Sequence, residues 1–345
     1  GEGLVLERRL FKHPVTVFLT SFLALASMDS KIIQKTLVLG TGGTIAGLAS
    51  DASNPSNYQA GQLGLTNLLA ASGVAVNHLE LQDIAQIDSK DMGFEVWKKL
   101  LNAVDRAQHR DDIQAIVVTH GTDTLEETAF LLHAMGPWAK PVVLTCAMKP
   151  ANAPDADGPG NLRDALLLAQ TAGIPPVSVV CAQQVHDPMH LQKIRTDQDD
   201  AFSSGPVGVL GQIQDGVWQS ARVGESFAGR RPGLSDLLPS NWPRVAWITS
   251  HAGTTGQLVQ ALISPGQPPV HGLVVAATGS GTVHAELEKA LTLARQQGVL
   301  VWVSSRCAWG QAHFHEQKAW GVATTLSPAK ATVALALDWM SAEKN

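Results

Sequence analysis

Residues 36–47 read TLVLGTGGTIAG, a short apolar run followed by a glycine-rich turn. The apolar run, residues 36–39, is typical of a strand that is covered on both faces of a sheet. Similar runs at residues 115–119, 141–145 and 177–181 alternate with segments of helical spacing. Because parallel strands need crossover connections, this alternation predicts an α/β fold. The helical segments lie at residues 125–135 and 161–170.

The second half of the chain repeats the alternation after a weakly patterned stretch, 222–242, that contains scattered Gly, Pro, Ser and Arg. Such a composition predicts a linker. We therefore expect two doubly wound domains: a larger N-terminal catalytic domain at 31–221, with a parallel-dominated sheet, and a smaller C-terminal domain at 243–345, with a parallel sheet. In the last predicted helix, Pro328 suits the first turn and Ser327 can cap it. The predicted strands are 244–249, 273–277 and 300–304, and the predicted helices are 256–263, 283–295 and 328–340.

Composition excludes several functions. The formal net charge of −5 and the absence of a Lys/Arg-rich run argue against a nucleic-acid partner, whose phosphates need clustered cations. His186 and His190 have metal-ligand spacing, but Pro188 between them argues against a helix, so we interpret both as loop residues. His313 and His315 point the same way on a strand but have no evident third ligand, and we expect no metal.

The first 30 residues are an extension or a signal-like segment. Basic residues at positions 8, 9 and 12 precede the apolar stretch 15–26, which ends in Ala-Leu-Ala, as in secretory signals. Met28, however, lies just before the first strand. A start at Met28 is slightly favoured and implies a cytoplasmic protein, whereas a true signal at 8–26 implies a periplasmic one. No later segment approaches about 18 uninterrupted apolar residues, so we expect no membrane partner.

Two polar loops follow predicted strands, where doubly wound sheets bind ligands. In the loop 40–47 the glycines permit a tight turn and free Thr41 to project its hydroxyl. A dinucleotide fingerprint fails because Ile45 occupies the third glycine position, and no Walker lysine follows; a purely structural turn is the other alternative. The second loop, 120–124, reads HGTDT and either caps the next helix or brings a second hydroxyl and a carboxylate towards Thr41.

The strings LGTGGTIAG (39–47) and THGTDTLEET (119–128) resemble the two signature motifs of the bacterial-type L-asparaginase family. Both occur in the family's order and spacing, and the resemblance extends from about residue 36 nearly to the C-terminus. Further matching segments are SNY (56–58), SKDM (89–92), AMKP (147–150), ADGPGNL (156–162) and SSR (304–306).

The resemblance implies a catalytic set of five residues. Thr41 corresponds to the nucleophile that forms an acyl-threonine intermediate, and Tyr58 to a mobile tyrosine that closes over it. Thr122, Asp123 and Lys193 correspond to a second cluster, in which an ammonium eases deprotonation of a hydroxyl. Lys193 is assigned from the alignment of HDPMHLQKIRTD. The implied substrate-binding residues are Gly42, Ser89, Lys90, Thr122, Asp123 and Ala147.

The implied activity is hydrolysis of L-asparagine to L-aspartate and ammonia, with glutaminase activity as a possible side reaction and no cofactor. Homo-oligomers built as a dimer of dimers are also implied. Three departures from the family pattern are Lys90 in place of glutamine, Gly253 in place of asparagine, and Glu316 as a loosely aligned acid for orienting Tyr58. The alternatives are a nucleotide-binding or regulatory module that uses the glycine loop, and the amidase subunit of a tRNA-dependent amidotransferase, which requires a further N-terminal domain.

Overall fold

The computed structural model describes residues 33–51, 58–237, 242–314 and 318–342. The predictions for residues 1–30, for Glu316 and for His315 lie outside this part of the chain. Within it, no helix is both long enough and apolar enough to cross a bilayer.

Helices and strands alternate along the described chain. The strands are β1 (Lys35–Gly42), β2 (Leu48–Ala49), β3 (Tyr58–Gln59), β4 (Leu79–Ile87), β5 (Ile113–Thr119), β6 (Val142–Thr145), β7 (Val177–Cys181), β8 (Gln184–His186), β9 (Gln192–Lys193), β10 (Phe202–Ser203), β11 (Gly211–Gln214), β12 (Val217–Ser220), β13 (Val245–Thr249), β14 (Gly272–Ala277), β15 (Leu300–Ser305) and β16 (Val322–Ala323). The helices are α1 (Leu65–Ser72), α2 (Phe94–Gln108), α3 (Leu125–Met135), α4 (Gly158–Ala169), α5 (Gln257–Ile263), α6 (Ala285–Gln296) and α7 (Pro328–Ala342).

The larger sheet has the strand order β12-β11-β8-β7-β6-β5-β1-β4. Strands β4, β1, β5, β6 and β7 run parallel, and β8, β11 and β12 are antiparallel additions at one edge. Helices cover both faces: Leu37 and Leu39 belong to one apolar cluster with residues of α2 and α3, and Val38 to another with residues of α1 and α4. The predicted doubly wound, parallel-dominated sheet is confirmed.

The smaller sheet, β13-β14-β15-β16, is entirely parallel, as predicted. Leu273 and Val275 pack with residues of α5 and α6 on one face. On the other face, Val274 shares a cluster with Leu335 of α7, and the same cluster contains Phe130 of α3. Helix α7 therefore packs both on its own sheet and on a helix of the larger sheet.

Three sequence expectations fail locally. Strand β4 was not predicted because it is an edge strand of mixed polarity in which no residue is fully buried. His186 lies in the short strand β8, where it is buried and bonded to Ser204, rather than in a loop. Ser327 does not cap α7: its side-chain oxygen has no partner, and its carbonyl accepts the Ala331 N–H instead.

The predicted linker is packed against the larger domain along much of its length. The Phe227 ring lies 5.2 Å from that of Phe130 in an edge-on contact, and Trp242 stacks on Phe94 at 4.3 Å. Leu237 is fully buried. Because residues 34–345 form one compact unit, the division at 222–242 stays a prediction.

Replacing Leu237 by alanine should lower the free energy of unfolding by about 2–5 kcal/mol, because a fully buried leucine leaves a cavity. Val223, in the same segment, is 88% exposed, and Val223→Ala should change the unfolding free energy by less than about 0.5 kcal/mol. Urea denaturation of both variants measures the difference. Equal stabilities would mean that this segment does not pack in solution as it does in the structure.

Candidate active site

The loops that follow β1 and β5 meet at two glycines. A Cβ placed on Gly43 would lie 2.3 Å from the Gly121 backbone, and one on Gly121 would lie 3.0 Å from the Gly43 Cα. Gly43 also has a positive φ of 80°. Only glycine fits such a contact, so these two residues allow the two signature motifs to approach each other.

Thr41 lies at the carboxyl end of β1 and is only 1% exposed. Its hydroxyl donates a hydrogen bond to the Thr119 carbonyl, at 3.0 Å, across the β1–β5 pair. The following residue, Gly42, has a φ of 96°, and a Cβ there would strike the Ile87 backbone at 2.5 Å. The turn after Thr41 is thus held against neighbours on both sides.

Tyr58 lies in the two-residue strand β3, which pairs with β2 beyond the glycine loop. Its hydroxyl is 2.7 Å from the Thr44 hydroxyl. The structure therefore connects Tyr58 to the loop of Thr41 through Thr44, a residue that the sequence analysis did not single out. The signal was present, because GTGGT carries two threonines, but only the first follows the strand directly.

Ser89 joins the second motif from a single 3₁₀ turn, Ser89–Asp91, just after β4. The Ser89 hydroxyl, 2% exposed, accepts the Asp123 N–H at 3.1 Å, and the Ser89 carbonyl accepts from the Thr124 hydroxyl at 2.7 Å. A Cβ on Gly121 would lie 2.5 Å from the Ser89 oxygen. Ser89 therefore packs against the second loop through both its hydroxyl and its carbonyl, and its role in substrate binding stays a prediction.

Lys193 completes a three-residue cluster with Thr122 and Asp123. Its ammonium donates to the Thr122 hydroxyl at 2.8 Å and to an Asp123 carboxylate oxygen at 2.6 Å. Thr122 is 5% exposed, whereas the Asp123 side chain is about half exposed. An ammonium beside a hydroxyl favours the deprotonated alkoxide, so this geometry suits nucleophile activation or proton transfer.

Ala147 is fully buried just after β6. It packs with Ile45 of the glycine loop in one apolar cluster. The segment after Ala147 is held by Asp157, whose carboxylate accepts the N–H groups of Met148 and Lys149, both at 2.9 Å. Ala147 thus lies against the glycine loop, and its role in substrate binding stays a prediction.

Lys90 is the one predicted site residue whose side chain points elsewhere. Its ammonium is bonded to Asp88 at 2.7 Å and to Asp91 at 3.3 Å, and its side chain is 61% exposed. Local ion pairing thus holds this ammonium within its own turn.

A buried chain of hydrogen bonds supports the second loop. The Gly121 carbonyl, 2.7 Å from His120 Nδ1, can only accept, so Nδ1 carries the proton. His120 Nε2 then accepts from the Thr128 hydroxyl, at 2.9 Å, whose oxygen in turn accepts the Trp97 indole N–H. Burial lowers the pKa of His120 to about 4, so the imidazole is neutral at pH 7. Sequence analysis did not single out this network, in which only Trp97 lies outside the second motif.

Helix α3 begins directly after the second loop with two largely buried acids, Glu126 and Glu127. Burial raises the pKa of Glu126, and burial together with the Glu126 charge raises the pKa of Glu127 to about 7. One carboxylate oxygen of each has no hydrogen-bond partner.

The described residues contain no group of three His, Cys, Asp or Glu that could hold a metal ion.

The fold and these loops together define a class of protein: a two-part α/β protein with hydroxyl, carboxylate and ammonium groups gathered at strand ends, an arrangement suited to attack on a carbonyl group. Residues 35–223 match the family described as "Asparaginase, N-terminal", and residues 244–342 match the "Glutaminase/Asparaginase C-terminal domain". The chain belongs to the asparaginase/glutaminase family, and the resemblance inferred from its motifs is confirmed.

Similar proteins carry related names. "Probable L-asparaginase periplasmic" of Haemophilus influenzae is 34% identical over 309 residues, and "L-asparaginase 2" of Escherichia coli is 32% identical over 311; each alignment covers 87% of both chains. "Glutaminase-asparaginase" of Pseudomonas fluorescens is 30% identical over 321 residues, covering 87% of this chain and 85% of the relative. The crystal structure of probable cytoplasmic L-asparaginase from Campylobacter jejuni has a TM-score of 0.79 at 30% identity, covering 88% of this chain and 94% of that one.

Gly121→Ala should destabilise the protein by about 1–3 kcal/mol, because the new methyl group collides with Ser89 and Gly43. Gly160→Ala is the matched control: it lies in α4, where the nearest atom is 3.9 Å away, and alanine should leave stability unchanged or slightly higher. Urea denaturation compares the two. A Gly121→Ala protein as stable as the Gly160→Ala protein would contradict the close approach of the loops.

Glu127→Gln should stabilise the protein more at pH 8 than at pH 5. The folded carboxyl, with a pKa of about 7 against an ordinary 4.5, stabilises the fold below pH 4.5, and that contribution is lost as the pH rises through 7. A glutamine side chain does not titrate and so does not lose stability in this way. The difference in unfolding free energy between Glu127→Gln and the wild-type protein should therefore grow by up to about 3 kcal/mol from pH 5 to pH 8. Unfolding free energies at both pH values test this, with Glu288→Gln at an exposed position as control. Parallel pH curves for wild type and Glu127→Gln would refute the shift.

Proposed function

We propose that this protein hydrolyses the side-chain amide of L-asparagine to L-aspartate and ammonia, with glutaminase activity as a side reaction. One observation carries the proposal. Lys193 donates hydrogen bonds to both Thr122 and Asp123, and the loop that contains these two residues contacts the loop of Thr41. Membership of the asparaginase/glutaminase family supports it, and the named relatives give no support to the nucleotide-binding alternative.

The proposed reaction has two halves. The Thr41 oxygen attacks the amide carbonyl and loses its proton, the C–N bond breaks, and ammonia leaves with that proton. Water then attacks the acyl-threonine ester, which releases the carboxylate and restores the hydroxyl. Backbone N–H groups near Gly42 and Thr122 are the proposed donors to the developing oxyanion. Tyr58, held at the same loop through Thr44, is proposed to close over the substrate and take part in proton transfer.

Substrate recognition is proposed to follow charge. Asp123 offers a half-exposed carboxylate to the substrate ammonium, and Ser89, buried beside it, is proposed to contribute to carboxylate recognition. Ala147 is proposed to present its backbone to the amide. Asparagine and glutamine differ by one methylene, a difference of about 1–3 kcal/mol in most pockets, which is consistent with activity on both.

We propose that catalysis needs neither cofactor nor metal, and that nucleic acid and membrane are not partners. A homo-oligomer arranged as a dimer of dimers is proposed from the family resemblance. Relatives with "periplasmic" and "cytoplasmic" in their names are both similar to this chain. The cytoplasmic assignment is therefore a proposal tied to a start at Met28, and a functional signal at 8–26 would replace it with the periplasm.

Thr41→Ala and Thr122→Ala should each reduce ammonia release from L-asparagine at least about a thousand-fold while the protein stays folded, because each removes a reacting or activating hydroxyl. Thr171→Ala, which removes a hydroxyl bonded to Leu167 at the end of α4, is the control and should retain wild-type turnover. Rates are measured on L-Asn, L-Gln and D-Asn with a chelator present and no nucleotide.

Near-normal rates in both site variants would end the threonine mechanism. Absence of ammonia from any of the three amides in the wild-type protein would end the proposed activity itself, and tight binding of NAD or ATP in a parallel titration would then favour the nucleotide-binding alternative.

A further inference from the structure

Lys330 is a fully buried lysine near the start of α7, in the C-terminal part of the chain. Its ammonium donates a hydrogen bond to the Leu191 carbonyl, 139 residues earlier in sequence. A lysine is rarely buried in full unless its charge is compensated. Lys330 therefore connects the C-terminal helix α7 to a segment of the N-terminal part of the chain through a buried charged group.

Burial lowers the pKa of Lys330, and acids from the N-terminal part of the chain offset this effect in part. Glu126 and Glu127, at the start of α3, and Asp187, just after β8, all act on it electrostatically. In return, Lys330 lowers the pKa of Glu126, which burial raises. Lys330 thus links α7 electrostatically to α3, the helix that begins two residues after Asp123.

Leu191 lies two residues before Lys193, on the segment that leads into β9. This strand is only two residues long and pairs only with the equally short β10. On its other side, the Lys193 backbone amide interacts with the Glu126 carboxylate. Lys330 therefore holds the backbone just before β9, and Glu126 acts on the backbone amide of Lys193, whose ammonium contacts Thr122 and Asp123.

We propose that Lys330 is a positioning residue: by holding the Leu191 carbonyl, it fixes β9 so that Lys193 reaches Thr122 and Asp123. The C-terminal helix α7 would in this way determine the geometry of a site built by the N-terminal part. This inference rests on the proposed amidohydrolysis, because its expected effect is measured as a change in the kcat of that reaction.

The test compares Lys330→Met, which keeps the length and apolar stem but removes the donor, with Lys98→Met. Lys98 is a matched control because it also donates to a distant backbone carbonyl, that of Leu234, and burial also lowers its pKa. We expect kcat on L-asparagine to fall about tenfold or more in Lys330→Met, with KM changed by less than about threefold. Lys98→Met should keep both constants.

Two further variants separate positioning from folding. Lys330→Arg keeps a cationic donor and should recover most of the lost kcat. Glu126→Leu removes the group on the other side of β9 and should reproduce the fall in kcat if Lys330→Met cannot be purified in folded form. Circular dichroism and melting temperature establish folding for each protein.

Wild-type kcat in folded Lys330→Met, or in folded Glu126→Leu where Lys330→Met does not fold, would overturn the inference, as would an equal loss of kcat in Lys98→Met. Failure of the proposed function looks different: the wild-type protein itself would then release no ammonia.

Discussion

The close approach of Gly43 and Gly121 is the contact on which the site depends. The two loops come from adjacent parallel strands, and side chains on either glycine would keep them apart. With both side chains absent, Thr41 and Thr122 lie at the same edge of the sheet, and Ser89 fits against Gly121 from a third loop. A backbone contact, rather than a side-chain interaction, therefore sets how near the reacting groups can come.

Electrostatics then divides the site into an open and a closed side. On the open side, Lys193 and Asp123 are partly exposed and paired. On the closed side, Glu126 and Glu127 are largely buried near Lys330, and burial raises the pKa of both carboxyl groups. Glu127, whose pKa is raised to about 7, is therefore partly protonated at pH 7 and adds less negative charge behind Thr122 than an ordinary carboxylate would.

The parts of the fold that sequence predicts well are those whose burial is visible locally. Strand β1 and helix α3 follow from apolar runs and from the residues that end them, and Thr41, Thr122 and Asp123 follow from their places just after strands. What sequence cannot supply is contact between distant segments: the mixed edge strand β4, the link between Tyr58 and Thr44, and the burial of Lys330. Lys193 was placed only by resemblance, because a two-residue strand carries no periodic signal.

The pairing of Asp123 with Lys193 is compatible with the proposed binding of the substrate ammonium to Asp123. Only one carboxylate oxygen of Asp123 is bonded to Lys193, and the side chain is about half exposed. The other oxygen can therefore accept the substrate ammonium while the first keeps the Lys193 pair. Lys90 does not compete for it, since its charge is held by Asp88 and Asp91. In the proposed mechanism, one carboxylate thus contacts both Lys193 and the substrate ammonium.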